Sequence, residues 1–488
     1  MSSLTFNQSL RPLALVTMAL SLSACTLGPD YQRPDVPMAA EFKQAEGWKV
    51  AAPADALQRG EWWTLYGDAE LNSLVGRLNV SNQNLAAAEA QYRQARALVR
   101  GARSQLFPTI GGSGGVTRGG QGSTSNSTIQ NQARGISESY SLGLDASWEL
   151  DLWGRLRRNL EANQASMQAS AADLAAVRLS LQSELVQTYL RLRVMDEQQR
   201  LLDQTVEAFA RSLRLTENQY RAGIVPKSDA TQALTQLRST EAQAIDLRWQ
   251  RAQMEHAIAV LIGVPPSELS ITERDQIPAL PVVPLALPSQ LLERRPDVAS
   301  AERQVIAANA QIGVAEAAWY PDLTLSASGG YRNSSFSNLV SVPNRFWSLG
   351  PQLAMTLFDF GGRRAGLEQA EASYDQTVAN YRQTVLNSFR EVEDNLVQLR
   401  VLGEEAVVQQ QALEAAQESL RLIENQYRAG TVDFLSVATV QTTALNNERT
   451  NLTLLGDRLA ASVQLIAALG GGWDEEVLQR EPVMSTER

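Results

Sequence analysis

The chain has 488 residues, 44% hydrophobic but only 6% aromatic, with a formal net charge of −10. With 43 Lys and Arg against 53 Asp and Glu, no basic excess exists to meet phosphates, which argues against a nucleic-acid partner. One cysteine (Cys25) and one histidine (His256) rule out a disulfide within the chain and argue against a His/Cys metal site; no cofactor is expected.

At the N-terminus, Arg11 precedes an apolar run, "PLALVTMALSL" (12–22), the length of a signal-peptide core and too short to span a bilayer. "LSAC" (22–25) then resembles the lipobox of bacterial lipoproteins, in which the cysteine becomes the first residue and carries lipid. Residues 1–24 are therefore read as a lipoprotein signal peptide and Cys25 as the lipidated residue. Thr26, rather than Asp, after it favours the outer membrane in that resemblance, and an N-terminal segment (25–69) follows.

The rest of the chain is written twice. "LRLTENQYRAGIV" (213–225) returns as "LRLIENQYRAGTV" (420–432), differing only at Thr216/Ile423 and Ile224/Thr431. The match extends in both directions, giving repeats over 70–263 and 289–470, a proline-rich connector over 264–288 and a tail over 471–488. Each repeat opens with a helix (about 70–105 in the first). Two strands follow, predicted near 106–117 and 138–150, then near 321–332 and 346–358. In "SYSLGLDASWELDL", Tyr140, Leu142, Leu144, Trp148 and Leu150 alternate with Ser141, Asp145, Ser147 and Glu149. Trp347, Leu349, Leu353, Met355 and Leu357 alternate likewise with polar residues, the period of a strand with one apolar face. Ten such residues suit a tilted membrane-spanning strand. Four strands cannot close a barrel, and an open edge cannot stand in lipid. Either the strands form a sandwich or several chains share one barrel; three chains would supply twelve strands.

Next, each repeat has a proline-free helix (155–221 and 363–428) with apolar residues spaced by sevens, among them Leu181, Leu185, Leu192, Leu202, Phe209 and Leu213. At 1.5 Å per residue this is about 100 Å of coiled-coil helix. Gly223 and Gly430 end these helices, and return helices follow over 227–262 and 433–469. "QYRAG" therefore marks the tip of each hairpin.

This order of features resembles the outer-membrane efflux factors of the TolC and OprM type, and most their lipid-anchored branch. The stretches that carry the resemblance are "ACTLGPDYQRP" (24–34), "WWTLYGDAELNSLV" (62–75), "LLERRPDVASAE" (291–302), "YPDLTLSASGGY" (320–331) and "ENQYRAGTVDFLSV" (424–437). It implies a mixed α and β membrane protein: a trimeric, twelve-stranded outer-membrane β-barrel with four strands per chain, continued by a long periplasmic α-helical barrel. A homotrimer of this kind meets a periplasmic adaptor protein, which joins it to an inner-membrane pump of the resistance-nodulation-division class. By position, Tyr427 matches the tyrosine that holds the family's periplasmic gate closed, with Arg428 and Asp433 the charges nearby. Tyr220, Arg221, Ala222 and Gly223, with Arg428, Ala429 and Gly430, are expected to dock the adaptor. Asp145 and Glu149, opposite a lipid-facing row, are expected to face the channel. His256 is expected at the surface, and no enzyme motif occurs. The expected function is the passive exit duct of a multidrug efflux system. A type I protein-secretion duct and a lipid-anchored coiled-coil scaffold with a β-sandwich head are the alternatives.

Overall fold

A computed structural model describes residues 26–36, 42–43, 61–120, 136–281, 295–471 and 473. Cys25, the signal peptide, the last part of the 264–288 connector (282–288) and nearly all of the 471–488 tail lie outside them. In chain order the helices are α1 (Ala69–Ser81), α2 (Gln83–Ser104), α3 (Arg155–Arg221), α4 (Lys227–Leu261), α5 (Pro296–Ala317), α6 (Gly362–Arg428) and α7 (Phe434–Ala468). The strands are β1 (Thr109–Gly120), β2 (Ile136–Leu150), β3 (Asp322–Asn333) and β4 (Arg345–Ala354). Among the described residues no helix is long and apolar enough to cross a membrane.

Of the boundaries that differ from expectation, three have a clear local cause, while β1 also runs on to Gly120 and β2 begins earlier, at Ile136. The first helix, read as 70–105, is two, α1 and α2, broken at Asn82. Asn82 is extended (φ −67°, ψ 127°), and its side-chain oxygen accepts from the Leu85 N–H at 2.9 Å, so it caps the helix that follows. Strand β1 starts at Thr109 rather than 106, because Gln105, Leu106 and Phe107 still turn back onto the carbonyls of Ala102, Arg103 and Ser104. Strand β4 stops at Ala354 rather than 358. Ala354 pairs with Asp322, the first residue of β3, so beyond it the chain supplies no partner.

The chain forms two compact units, one within 1–34, 93–169 and 301–380, the other within 35–92, 170–300 and 381–488. The first holds an antiparallel sheet in the order β1-β2-β3-β4. Toward the helical end of the strands its register sorts the side chains by polarity. One face carries Ile110, Ala146, Ala327 and Leu349 in a row, then Leu150, Leu323 and Leu353. The other carries Thr109, Ser147, Ser326 and Gly350, then Gly111, Asp145, Ser328 and Ser348. Among the described residues neither face has a core laid on it: on the apolar face Trp347 is 77% exposed and Leu144, Leu349 and Leu353 are each 66% exposed, and on the polar face Asp145, Ser147 and Ser348 are exposed. Strands β1 and β4 each pair on one side only. Also in this unit, residues just after Cys25 are strapped down. The Leu27 N–H donates to the Trp153 carbonyl at 3.1 Å, and the buried Arg158 guanidinium donates to the carbonyls of Leu27 and Gly28. Gly28 has φ +93°, and a Cβ there would lie 2.5 Å from the Gly313 backbone, so only glycine fits.

The second unit has the helical core. Trp62, Trp63, Leu71, Leu74 and Leu78 pack against Leu185, Tyr189 and Leu192 of α3, Ile258 of α4, Val392 and Leu396 of α6, and Leu459 and Val463 of α7. Beside it lies a buried ionic network. Arg193, fully buried, donates to Asp196 (2.8 Å), Glu70 (2.5 Å), the Tyr189 hydroxyl (3.0 Å) and the Thr272 carbonyl (2.8 Å). Arg251 reaches Asp196 at 2.6 Å and the Ile271 carbonyl at 2.8 Å. The segment after α4 is thus tied to α3 and α4 through arginines whose desolvation is offset by full pairing.

Candidate functional site

The hairpin tips are built by the same device twice. At the first, the Gly223 N–H donates to Tyr220 O and the Ile224 N–H to Gln219 O, both at 2.9 Å. At the second, Gly430 donates to Tyr427 O and Thr431 to Gln426 O, both at 3.0 Å. This paired closure is a Schellman cap, and it needs a left-handed residue, which Gly223 (φ +72°) and Gly430 (φ +73°) supply. A Cβ at either glycine would meet nothing within 4 Å, so dihedral angle and not crowding selects glycine.

From there the tips diverge. Helix α7 is capped by Asp433, whose carboxylate accepts from the Ser436 N–H (3.0 Å) and hydroxyl (2.5 Å). Those hydrogen bonds hold its carboxyl below the usual Asp value. At the same position before α4 stands Pro226, with no side-chain cap, and the carboxylate instead appears at Asp229 in the first turn. The two tyrosines also part: Tyr220 is 43% exposed and Tyr427 only 6%.

Tyr427 sits in a small core with Phe434, Val437, Ala438 and Ala233, its ring edge-on to Phe434 at 5.8 Å between centroids. Its hydroxyl donates to Gln219 Oε1 at 2.8 Å and lies 3.1 Å from Thr216 Oγ1, so the end of α6 is tied to α3. Burial pushes the phenol above its ordinary pKa, and the Asp229 carboxylate adds to this. Arg428 and Asp433, expected beside Tyr427 in one gate, are not joined to it within the chain: Arg428 pairs with Glu424 at 3.4 Å and Asp433 with Ser436. Arg221 pairs with Glu217 at 3.5 Å, and both arginines are exposed, where such pairs contribute little. Ala222 and Ala429 are exposed beside them.

Sequence reasoning missed Thr216, Gln219 and Phe434. Thr216 is one of the two mismatches within the thirteen-residue match (Ile423 opposite), and just beyond that match Phe434 stands opposite Lys227. The Thr216 and Phe434 mismatches mark where the two tips pack differently.

On the sheet, Asp145 and Glu149 share the polar face. Asp145 lies between Gly111 and Ser328, and a Cβ on Gly111 would come within 2.7 Å of its carboxylate. Glu149 is taken by Arg155, whose Nη2 reaches both its carboxylate oxygens at 2.6 Å. No group of three or more His, Cys, Asp or Glu able to hold a metal occurs among the described residues.

The model of the family described as outer membrane efflux protein matches twice, over residues 74–264 and 287–471, which is the tandem duplication itself. The chain is 33% identical over 480 residues to the pyoverdine export outer membrane protein OpmQ of Pseudomonas aeruginosa, covering 96% of this chain and 98% of that protein. It is 30% identical over 462 residues to the cation efflux system protein CusC of Escherichia coli, covering 94% and 98%. Among solved structures, the outer-membrane channel OprN superposes with a TM-score of 0.84 at 33% identity, over 92% of this chain and all of that one. The fold is accordingly that of a trimeric twelve-stranded outer-membrane barrel, four strands from each chain, continued by helical hairpins that reach into the periplasm. This chain belongs to the outer membrane efflux protein family and is the outer-membrane exit component of an efflux system.

Proposed function

We propose that three copies of this chain form a passive exit duct for a tripartite multidrug efflux system, opened and closed at the hairpin tips. The observation that carries this reading is the sheet, bare on both faces and unpaired at both edges. Such a sheet is stable in lipid only when other copies complete it and lipid covers its apolar face. The relatives add a second support. One is named for cations and another for pyoverdine, cargoes with little chemistry in common, while the chain aligns with both nearly end to end. Cargo is therefore chosen elsewhere, by an inner-membrane pump of the resistance-nodulation-division class and its periplasmic adaptor. The duct does no chemistry and binds no cofactor.

In this reading Tyr427 and Asp433 hold the gate, with Arg428 alongside. Tyr220, Arg221, Ala222, Gly223, Arg428, Ala429 and Gly430 form tip surfaces for the adaptor, where small exposed residues permit close approach. Asp145 and Glu149 face the lumen. Cys25 carries the lipid, and the strap over Thr26–Gly28 fixes where that anchor enters the bilayer. Deleting the gene should raise intracellular accumulation of the pump's substrates, and the wild-type chain should restore efflux. Restoration of protein secretion, with accumulation unchanged, would instead favour the type I secretion duct.

A further inference from the structure

The polar face of the sheet holds one large apolar side chain, and it has no core to bury it. Phe346 lies in the row Ser113, Gly143, Gly330, Phe346. The two glycines beside it leave the surface bare, and a Cβ on Gly143 would sit 3.8 Å from the tip of the Phe346 ring, so the ring lies across the glycine strip. Over that ring stands Arg332, its guanidinium carbon 5.2 Å from the ring centroid. Arg332 pairs with Ser141 across the ladder, which places it on the same polar face. Among the described residues it has no carboxylate partner and no hydrogen bond. The ring therefore fixes its direction without cancelling its charge.

The other charges on this face lie nearer the helical end of the strands. Glu149 is neutralised by Arg155, and Asp322 opens β3. Asp145 pairs with Ser328, four residues before Arg332 on β3.

We propose that Arg332 is a selectivity residue: three copies form a cationic ring toward the outer mouth, in series with a deeper anionic ring of Asp145. The proposal rests on the reading that the polar face lines the lumen. Four residues at about 3.4 Å separate the two rows by about 13 Å along the strand. That exceeds the screening length of about 8 Å at physiological ionic strength, so the rings act as two separate steps and do not neutralise one another. A solute leaving the duct meets the acidic ring first and the basic ring last. Zwitterions and solutes with separated charges pass both with a favourable orientation, whereas a small ion of either sign is opposed once.

The test is reversal potential in a KCl gradient across planar bilayers holding the intact trimer. Arg332→Gln should raise the cation-to-anion permeability ratio about twofold or more, since it removes three charges from the conducting path. Arg332→Lys should restore the ratio. A parallel measurement checks the face: with the protein in liposomes, a charged thiol reagent should label an Arg332→Cys variant and spare Leu325→Cys on the apolar face. Labelling of Arg332→Cys with an unchanged permeability ratio in Arg332→Gln overturns the proposal and leaves the lumen assignment standing. Labelling of Leu325→Cys but not Arg332→Cys overturns both.

Discussion

Removing a single hydroxyl, by Tyr427→Phe, tests the gate most directly because the ring and its contact with Phe434 are kept. Three short contacts meet at this hydroxyl's neighbourhood: Tyr427 to Gln219 (2.8 Å), Tyr427 to Thr216 (3.1 Å), and Thr216 to the Ser212 carbonyl (3.0 Å). The Tyr and Thr hydroxyls bring one proton each, so only two of the three can be hydrogen bonds at one time. The Phe variant therefore loses one net bond per chain, about 1 kcal/mol, since Thr216 keeps its own donation to Ser212. That is a factor of about 5 in one copy. If the three copies open together, it is about 3 kcal/mol, or a factor of about 100 in open-state occupancy. Single-channel recording at fixed voltage reads that occupancy, with thermal melting of the trimer as a control for folding. Thr216→Val leaves the bond to Gln219 intact and should shift occupancy much less. A Tyr427→Phe variant that melts normally and opens no more often than wild type would refute the gate assignment.

Three further outcomes are expected. The Asp433 carboxyl is held below its usual pKa, so its cap is fully formed above the ordinary Asp value of about 4 and is lost as pH falls through the depressed value; open-state occupancy should therefore rise only under acid conditions, and Asp433→Ala should abolish the rise. Gly430→Ala must hold a left-handed angle of +73° in open space, at a cost of about 1 kcal/mol; hydrogen exchange at Thr431 should speed up about fivefold while the trimer melts nearly as before. Arg193→Ala takes the fully buried guanidinium from between Asp196 and Glu70, leaving Asp196 only Arg251 and Glu70 only the half-exposed Arg274; a loss of about 3 kcal/mol should appear as a fall in denaturation midpoint, with single-channel conductance of the surviving trimer unchanged.

The fold class was legible because its signals are local and repeated. Alternating side chains along 140–150 and 347–353 announce a sheet with one apolar face, and a proline-free run with sevenfold spacing announces a long helix. The break at Asn82 was not legible: no Pro or Gly marks it, and it depends on an asparagine whose side chain caps the next helix and also donates to the distant Leu261 carbonyl. The end of β4 was equally hidden, because it is set by where β3 begins and not by the apolar Met355–Phe358. At the tips, the repeat showed which residues turn the chain. It hid that Tyr427 is buried and Tyr220 exposed, since that difference arises from Thr216 and Phe434, lying elsewhere in the chain and opposite Ile423 and Lys227 in the other copy.

The bare sheet also has a genetic consequence. A chain whose four strands are complete only in the company of two others cannot lend its share of the channel to the membrane alone. Its assembly therefore depends steeply on the number of copies in the compartment. A copy with a defective tip but an intact sheet still takes its place in the ring. If half of the chains carry such a defect, about one ring in eight is free of it, so a recessive-looking lesion at the gate should behave as a dominant one.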